Sequence, residues 1–367
     1  MGNEKRFRSD QPYNDLPLLP PQKDVETKRV LKRAIVANRS LAELKGLGKT
    51  IPNQTILINS LILQEAKASS EIENIITTND ALFKAFSAKN AQIDPATKEV
   101  LRYREAIWNG FDSLKQKPML NTNLFVSLVQ TIKKNKAGIR KTPGTTISNS
   151  NTGEIIYTPP EGENIIRDKL QNLENFIHAK DETDPLIKMA IIHYQFEAIH
   201  PFSDGNGRTG RIINILYLVL CGLLELPVLY ISKAIIQNKQ EYYSLLRQVT
   251  ENETWEPWIL FMLETIQNTA EFSRNQVIAI HDLMQETLEK AKRELPSRVF
   301  SKELIELLFN QPYCKGAFLV DAGIAKRQTA AEYLKELQNI GILKSQRVGK
   351  ETLYLNWKLY DLLAGRS

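Results

Sequence analysis

One run of twelve residues, His200–Arg211, brings together a proton acceptor, a carboxylate, an amide, three glycines and two arginines. His200 can accept a proton near neutral pH, and the Asp204 carboxylate is a hard oxygen ligand suited to Mg²⁺ held against phosphates. Gly205 and Gly207 allow the backbone to approach an anion and to present N–H groups to it. These residue types at this spacing predict a site for a nucleoside triphosphate.

The two arginines of this run and the flanking sequence support the same prediction. Arg208 and Arg211 carry forked, permanently charged donors that match phosphate oxygens. Residues 186–199 are almost entirely apolar, which predicts a buried helix, and Pro201 disfavours its continuation. A second apolar run, Ile212–Leu224, predicts another buried helix that begins near Arg208 and points its positive dipole end at the phosphates.

The twelve residues match the pattern H-x-F-x-D/E-G-N-G-R-x-x-R at every defined position. The chain therefore resembles the Fic (Fido-domain) family of protein adenylyltransferases. The resemblance implies a mainly α fold: a Fic-fold helical core with a β-hairpin flap, plus a small C-terminal winged-helix (α+β) domain. It also implies transfer of AMP from ATP to a Ser, Thr or Tyr hydroxyl of a protein target, or of the chain itself, with release of pyrophosphate.

The resemblance further implies roles for individual residues. His200 is expected to be the catalytic base that deprotonates the target hydroxyl, Phe202 to anchor the loop, and Asp204 to hold Mg²⁺ between the α- and β-phosphates. Arg208 and Arg211 are expected to bind the β- and γ-phosphates. The expected nucleotide-binding residues are Asp204, Gly205, Asn206, Gly207, Arg208, Thr209, Gly210, Arg211, Tyr242 and Tyr243. The two tyrosines resemble a segment that lines an adenine pocket, and a place in the ordinary core is the alternative.

A glutamate far from this motif is expected to inhibit the enzyme. Ser69, Glu73 and Asn74 fit the pattern Ser/Thr-x-x-x-Glu-Gly/Asn of autoinhibited Fic proteins. The resemblance implies that Glu73 pairs with Arg211 and keeps its guanidinium away from the γ-phosphate. An ordinary surface glutamate in a helix is the alternative.

Residues 144–160 have β-prone rather than helical spacing. Two short runs, Thr145–Ile147 and Ile155–Tyr157, flank a polar turn that ends in Gly153. This pattern predicts a hairpin, with an irregular surface loop as the alternative. By resemblance the hairpin is the flap that pairs with the target segment, and its outgoing strand consists of Ile155, Ile156 and Tyr157.

The C-terminal sequence predicts the element order of a winged helix. Helices are expected over Ser301–Phe309, Asp321–Lys326 and Arg327–Ile340, followed by a hairpin over Leu343–Trp357. Residues with groove-reading side chains start the third helix, namely Lys326, Arg327 and Gln328. From residue 291 to residue 367 there are 13 Lys and Arg against 8 Asp and Glu, a balance that favours nucleic acid. DNA binding and a packing or dimerisation role both stay open.

Apolar spacing also predicts helices elsewhere; they cover Asp24–Leu47, Gln54–Ile76, Pro95–Gln116, Asn123–Lys134 and Ala270–Glu294. We divide the chain into four parts on this basis. These are an N-terminal helical region with the inhibitory helix (1–110), the Fic catalytic core (111–270), a connecting helix (271–295) and the winged-helix domain (296–367).

Composition narrows the class of protein. The 367 residues are 42% hydrophobic, enough for real cores, and two cysteines, Cys221 and Cys314, suggest no disulfide framework. The N-terminal sequence is charged and polar and predicts no signal peptide, and no apolar run is long enough to span a bilayer. We therefore expect a cytoplasmic protein with no membrane partner. A P-loop, a Gly-x-Ser-x-Gly elbow and zinc-site histidine spacing are absent from the sequence, which disfavours those enzyme classes.

The sequence leaves three functions open. The first is an ATP- and Mg²⁺-dependent protein adenylyltransferase that Glu73 inhibits. The second is a de-AMPylase that uses the same pocket, with the glutamate orienting a water molecule. The third is a DNA-binding regulator whose Fic-like core senses nucleotide. The identity of the protein target and the formation of a homodimer are also left open.

Overall fold

The computed structural model describes residues 7–48, 54–87, 93–148, 152–348 and 351–365 of the chain. The fold is mainly helical, as predicted, and the elements follow one another along the chain. They are α1 (Lys28–Gly48), α2 (Gln54–Ile72), α3 (Asn79–Ser87), α4 (Pro95–Gln116), α5 (Thr122–Lys133), β1 (Ile147–Ser148), β2 (Ile155–Tyr157), α6 (Glu163–His178), α7 (Pro185–Ile199), α8 (Asn206–Leu220), α9 (Ile231–Gln237), α10 (Lys239–Asn252), α11 (Trp255–Glu294), α12 (Lys302–Leu307), β3 (Tyr313–Cys314), α13 (Gly316–Asp321), α14 (Arg327–Asn339), β4 (Leu343–Val348), β5 (Glu351–Asn356) and α15 (Trp357–Ala364).

Two buried helices, α7 and α8, carry the twelve-residue run: residues 200–205 connect the two helices, and residues 206–211 form the start of α8. The Asp184 carboxylate caps α7 by accepting two first-turn N–H groups at 2.8 and 3.4 Å, and Pro185 occupies the first helical position. α7 is apolar on all sides and almost entirely buried, and it ends at His200. α8 begins at Asn206, close to the predicted start, and packs against α7. Among the described helices, none combines the length and the apolar character needed to cross a bilayer.

The predicted helices of the N-terminal half lie close to the observed ones. α4 has the predicted bounds, and α5 begins and ends one residue earlier than predicted. α1 begins four residues later than predicted, and α2 ends four residues earlier, at Ile72. The apolar spacing continues past Ile72, but Asn74 adopts a left-handed φ of 61° and stops the helix. α3 and α6 were not predicted from the sequence.

The predicted flap is an antiparallel pair of short strands. β1 and β2 pair with Ile147 opposite Tyr157 and Ser148 opposite Ile155, with an irregular register between the two positions. Of the predicted polar turn, residues 149–151 lie outside the described part of the chain. The Tyr157 hydroxyl donates to the Ala198 carbonyl at 2.8 Å, which attaches the outgoing strand to the end of α7.

The C-terminal region, described from residue 302 to residue 365 except for 349–350, combines four helices, α12 to α15, with a three-stranded antiparallel sheet of order β3-β5-β4. β4 and β5 form the predicted hairpin, with Leu343 opposite Asn356, and its tip at residues 349–350 lies outside the described residues. Trp357 begins α15 instead of closing the hairpin, because the Asn356 side chain accepts a first-turn N–H at 3.2 Å. β3 and α15 were not predicted.

One prediction in this region is wrong. The helix expected over Asp321–Lys326 lies at Gly316–Asp321 and ends where the predicted helix was to begin. Gly323 has a φ of 69°, and its N–H bonds to the Val320 carbonyl at 3.0 Å, so the chain turns at this point.

A 40-residue helix, α11, runs from the core into the C-terminal region. The predicted connecting helix is its second part. α11 packs along α1 in the core and against α12 and α15 beyond it. The C-terminal region also contacts α2 and α3 directly. The Gln64 amide donates to the Leu363 carbonyl at 2.8 Å, and the Tyr313 hydroxyl donates to Asp80 at 2.6 Å.

Candidate functional site

The loop between α7 and α8 is closed by the side chain of Asn206, the first residue of α8. Asn206 Oδ1 accepts the Phe202 N–H at 2.8 Å, and Asn206 Nδ2 donates to the Phe202 carbonyl at 2.7 Å. The Phe202 ring is fully buried beside Phe196, with 6.2 Å between ring centroids. The Asn206 side chain therefore fixes the shape of the loop, and what it presents to a ligand is its backbone N–H.

His200 occupies the end of α7 in the left-handed conformation, with φ 48° and ψ 58°. Its Nδ1 atom is buried and has no hydrogen-bond partner among the described residues. Burial is the main cause that lowers the pKa of His200 to about 4, and the positive charge of Arg140 adds to it. The imidazole is therefore neutral at physiological pH, which is the form that accepts a proton from a hydroxyl.

Arg140, which precedes the flap, joins the His200 loop to the far end of the flap. Its Nε donates to the His200 carbonyl at 2.8 Å, and its Nη2 donates to the carbonyls of Pro160 and, at 3.4 Å, Ile199. Its backbone N–H donates to the Pro201 carbonyl at 2.9 Å. Sequence reasoning missed this residue, because a lone arginine before a hairpin carries no spacing signal.

We expect Arg140→Leu to destabilise the fold by about 2 to 3 kcal/mol, because it leaves buried carbonyl groups without donors. The measurement is the free energy of unfolding in urea. Lys141→Met is the matched control, since Lys141 pairs with Glu163 at the surface at 3.1 Å and such pairs contribute little. Equal stability of the two variants would contradict the role assigned to Arg140.

The first turn of α8 leaves backbone N–H groups free to meet an anion. Gly205 precedes it with a φ of 86°, a conformation that favours glycine. A Cβ atom on Gly207 would lie 2.4 Å from Glu73 Oε1 and 3.0 Å from Arg211 Nη1. Glycine is therefore required at position 207 as long as Glu73 occupies this place.

Four charged side chains form a network beside this turn. Arg208 is almost fully buried; it pairs with Glu99 of α4 and lies 3.4 Å from Asp204 Oδ1. Lys133 of α5 lies between the two carboxylates, with Nζ 3.0 Å from Glu99 and 2.6 Å from Asp204. Glu99 and Lys133 were not predicted, because only the packing of α4 and α5 brings them to α8.

Asp204 fits the part of a magnesium ligand. Its side chain is 58% exposed, whereas that of Glu99 is 21% exposed. Partial burial would raise the pKa of the Asp204 carboxyl, but Lys133 and Arg208 outweigh it and lower the pKa, so the group is ionised at neutral pH. The described residues contain no cluster of three His, Cys, Asp or Glu that would hold a metal by itself. Mg²⁺ commonly takes one or two carboxylates together with phosphate oxygens and water, and the exposed Asp204 suits that donor set.

The structure brings Ser69 and Glu73 together around Arg211. Arg211 Nε donates to the Ser69 hydroxyl, and Nη2 donates to the Ser69 carbonyl, both at 2.8 Å. Nη2 also donates to Glu73 Oε1 at 2.9 Å. The Arg211 side chain is 1% exposed, and that of Glu73 is 33% exposed. Asn74, in its left-handed conformation, ends α2 directly after the glutamate, and Lys239 donates to the Ile72 carbonyl at 2.7 Å.

Glu73 and Arg211 each stabilise the charged form of the other. Burial alone would raise the pKa of the Glu73 carboxyl, but the charge and hydrogen bond of Arg211 outweigh it, with smaller contributions from Arg208 and Lys239, and the pKa is lowered. Burial would lower the pKa of Arg211, but nearby Glu73 raises it above its ordinary value. Both groups are therefore charged at neutral pH, and the cation faces a carboxylate.

The last turn of α7 holds a buried acid, Glu197. Burial raises the pKa of Glu197 to about 7, a change that Arg211 opposes and Glu73 reinforces. Glu197 Oε1 has no hydrogen-bond partner among the described residues. It lies where a Cβ atom on Gly210 would approach it to 2.5 Å, and Thr209 is fully buried. Thr209 and Gly210 thus serve the packing of α8 on α7.

A largely apolar cavity of about 140 Å³ lies under the flap, and it is lined by Phe7, Ile147, Ile156, Tyr157, Tyr194, Glu197, Ala198, Tyr243, Leu246, Arg247 and Thr250. The two predicted tyrosines occupy different environments. Tyr243 is 45% exposed and lines the cavity. Tyr242 is buried, and its hydroxyl lies 2.8 Å from His193 Nε2. His193 in turn stacks on Trp258 with 5.9 Å between centroids, so Tyr242 belongs to the core.

Three family models match consecutive parts of the chain. The model "Fic/DOC family N-terminal" matches residues 31–112, and "Fic/DOC family" matches residues 120–218. The model "Protein adenylyltransferase SoFic-like, C-terminal domain" matches residues 283–359. The chain belongs to the Fic/DOC family.

Known relatives agree with this assignment. A probable protein adenylyltransferase of Aquifex aeolicus (strain VF5) is 34% identical over 95 residues, which are 26% of this chain and 27% of the relative. The chain thus spans about a quarter of the length of this curated relative. A Fic family protein from Desulfovibrio desulfuricans G20 superposes with a TM-score of 0.58 and 18% identity, over 92% of this chain and 98% of the other. Fic-1 from C. elegans superposes with a TM-score of 0.51 and 18% identity, over 70% and 75%. At these sequence identities, the two structures support the fold alone.

Proposed function

We propose that the protein is an adenylyltransferase that transfers AMP from ATP to a Ser, Thr or Tyr hydroxyl of a target protein and releases pyrophosphate. One observation carries the proposal: neutral His200 begins the short loop that leads into the first turns of α8, where Arg208 and Arg211 are buried. A positioned base next to fixed cations and N–H groups is what nucleotidyl transfer requires. Membership of the Fic/DOC family supports the same activity.

In this proposal His200 takes the proton of the target hydroxyl while the hydroxyl oxygen attacks the α-phosphorus. A bond forms between that oxygen and the AMP phosphorus, the bond to the bridging oxygen of pyrophosphate breaks, and pyrophosphate leaves. The first-turn N–H groups of α8 and the two arginines hold the phosphate oxygens. Asp204 would exchange its ion pair with Lys133 for Mg²⁺, which when bound neutralises phosphate charge.

The cavity under the flap suits the base of the nucleotide. Its walls are mainly apolar and aromatic, and Ala198 at one side of it is two residues before His200. When the nucleotide base occupies this cavity, the ribose and the phosphates extend towards α8. Short exposed strands bind extended peptides by backbone pairing, so the strand of Ile155 and Ile156 would align the target segment above the α-phosphate.

The same proposal makes Glu73 an inhibitor. Arg211 donates to Ser69 and Glu73, so these N–H groups of its guanidinium are already occupied beside the start of α8. With Arg211 held in this way, the γ-phosphate loses a cation, and the α-phosphate is not aligned for attack. Release of Glu73 from Arg211 is then the step that turns the enzyme on.

Labelling with radioactive nucleotide tests the activity. The protein is incubated with Mg²⁺ and ATP labelled at the α-phosphate, alone and with a lysate, and intact-mass analysis seeks added AMP. A parallel reaction with γ-labelled ATP is the control, because AMP transfer leaves that label in pyrophosphate. The proposal fails if no α-label reaches any protein, even from a Glu73→Gln variant.

The pH dependence of transfer follows from the burial of His200. The base is active when neutral, so activity is full above its pKa and is lost as the pH falls through it. Because that pKa is lowered to about 4, we expect single-turnover transfer by the Glu73→Gln variant to persist at pH 5 and to fall only near pH 4. This variant is used because it removes the titration of Glu73 itself. An acid limb centred near pH 6.5, the value of an exposed histidine, would contradict the assignment.

One observation also favours the reverse activity, removal of AMP from a modified protein. Glu73 is an ionised carboxylate beside Gly207, at the start of α8, and a carboxylate in this place can orient a water molecule. Release of AMP from a modified target should then disappear in Glu73→Gln while transfer rises. If both activities rise together, Glu73 has no part in hydrolysis.

DNA binding by the C-terminal region stays a prediction. Lys326, Arg327 and Gln328 are exposed at the start of α14, which leaves them free to meet a duplex. Titration of a labelled DNA duplex at several salt concentrations tests this, since phosphate contacts weaken steeply with salt. Binding that survives unchanged in a Lys326→Gln, Arg327→Gln variant would argue against this surface.

A further inference from the structure

The first described residues, 7–21, form an N-terminal strap that is fixed to the helical core. Lys169 of α6 donates to the Leu16 carbonyl at 2.7 Å, and Gln195 of α7 donates to the Pro17 carbonyl at 2.8 Å. Both side chains are buried. Burying such groups is costly unless they are hydrogen-bonded, so the core commits two buried donors to hold the strap in one position.

The strap is also fixed to the flap. The Tyr13 N–H donates to the Thr158 carbonyl at 3.0 Å, and the Thr158 hydroxyl donates to the Ser9 carbonyl at 2.6 Å. At the start of the strap, the Phe7 ring stacks on the Tyr157 ring, with 5.9 Å between centroids and 21° between planes. The strap therefore carries an aromatic ring to the flap and holds it there.

Phe7 is a wall of the cavity under the flap. The Tyr157 ring lies behind it, Ile156 of the flap lies beside it, and Tyr243 of α10 contributes another aromatic surface. The hydrogen-bonding groups of the lining are the Glu197 carboxyl, the Arg247 and Thr250 side chains and the tyrosine hydroxyls, and those of Tyr157 and Tyr194 already bond to Ala198 and Thr250. A flat ring with two apolar faces is the ligand that such walls accept, because bases stack on aromatic side chains.

We propose that Phe7 is a base-stacking residue of the nucleotide site, so that the N-terminal strap is a part of that site. The base of a nucleoside triphosphate packs against the Phe7 ring, while its phosphates reach the start of α8. The inference rests on the proposed function in one respect, that the ligand is a nucleoside triphosphate. It adds a residue from a segment more than 190 positions before His200.

Calorimetric titration of the full-length protein tests this with two ligands. ATP carries the base, and tripolyphosphate carries three phosphates without it. We expect Phe7→Ala to weaken ATP binding about tenfold, in the range for loss of one base–aromatic contact, and to leave tripolyphosphate binding unchanged. Phe7→Trp should bind ATP within about twofold of the unaltered protein, because it keeps a stacking surface. Leu18→Ala is the matched control, since Leu18 belongs to the same strap, is 56% exposed and does not line this cavity.

The outcomes separate this inference from the proposed function. Phe7→Ala that binds ATP as tightly as the unaltered protein would overturn the stacking role. So would equal loss of ATP and tripolyphosphate, which would assign Phe7 to the stability of the strap. If the unaltered protein binds neither ligand, the proposed function itself is wrong.

Discussion

Glu73→Gln is expected to raise AMP transfer roughly 10- to 100-fold, including transfer onto the protein itself. Glutamine keeps the size and helix compatibility of the side chain but removes the charge that holds Arg211. A hydrogen bond to a charged partner contributes about 1.5 to 3 kcal/mol, and its loss frees the Arg211 cation for the γ-phosphate. Initial rates with α-labelled ATP measure the change. Glu73→Gly should act in the same direction, and because residue 73 follows the last residue of α2, the cost of glycine in a helix interior does not apply.

Glu71→Gln is the matched control for this experiment. Glu71 lies in the last turn of α2, two residues before Glu73, and loses the same charge, but the structure gives it no ion pair with Arg211. Its transfer rate should stay at that of the unaltered protein. If Glu73→Gln and Glu73→Gly label no faster than Glu71→Gln, Glu73 is not an inhibitor, whatever its contact with Arg211.

His200→Ala is expected to reduce AMP transfer by about 10²- to 10⁴-fold, the usual effect of losing a general base. The effect is best measured in the Glu73→Gln background, where the starting rate is high. ATP affinity should change little, because the phosphates are assigned to α8 and its arginines. The loop should also keep its shape, since the Phe202–Asn206 hydrogen bonds that close it do not involve the imidazole.

His281→Ala provides the comparison for a histidine outside the site. His281 lies on α11 beside Asp282, with 3.3 Å between His281 Nδ1 and Asp282 Oδ1, at the surface. That variant should transfer AMP at the rate of its parent. A His200→Ala protein that melts normally, binds ATP and still transfers at the parental rate would remove His200 from the mechanism.

The central part of the site could be predicted because it is local in sequence. Pro201 and the glycines end one apolar helix and start the next, so the loop and its flanking helices follow from the order of residues in this short stretch. The contact of Ser69 and Glu73 with Arg211 joins distant positions, and it was expected from resemblance rather than from spacing. The observed geometry makes its physical basis plain, since Ser69 lies in the last turn of α2 and Glu73 in the turn that follows the helix directly, so both reach Arg211.

The missed residues depend on tertiary packing. Glu99 and Lys133 reach Asp204 and Arg208 because α4 and α5 pack on α8. Arg140 acts through backbone carbonyls, which have no sequence signature. The misplaced helix at residues 321–326 has a different cause. A single left-handed glycine outweighed the helical spacing around it.

The contact of Gln64 with the Leu363 carbonyl has a consequence for how signals reach the site. Gln64 and Glu73 are nine residues apart, so α2 spans about 13 Å between the C-terminal region and Arg211. A displacement of Gln64 that moves α2 as a rigid body also displaces Glu73. By thermodynamic reciprocity, a ligand of the C-terminal region that tilts α2 changes nucleotide affinity by the same factor by which nucleotide changes the affinity for that ligand. The C-terminal region and the proposed nucleotide site are thereby connected through α2.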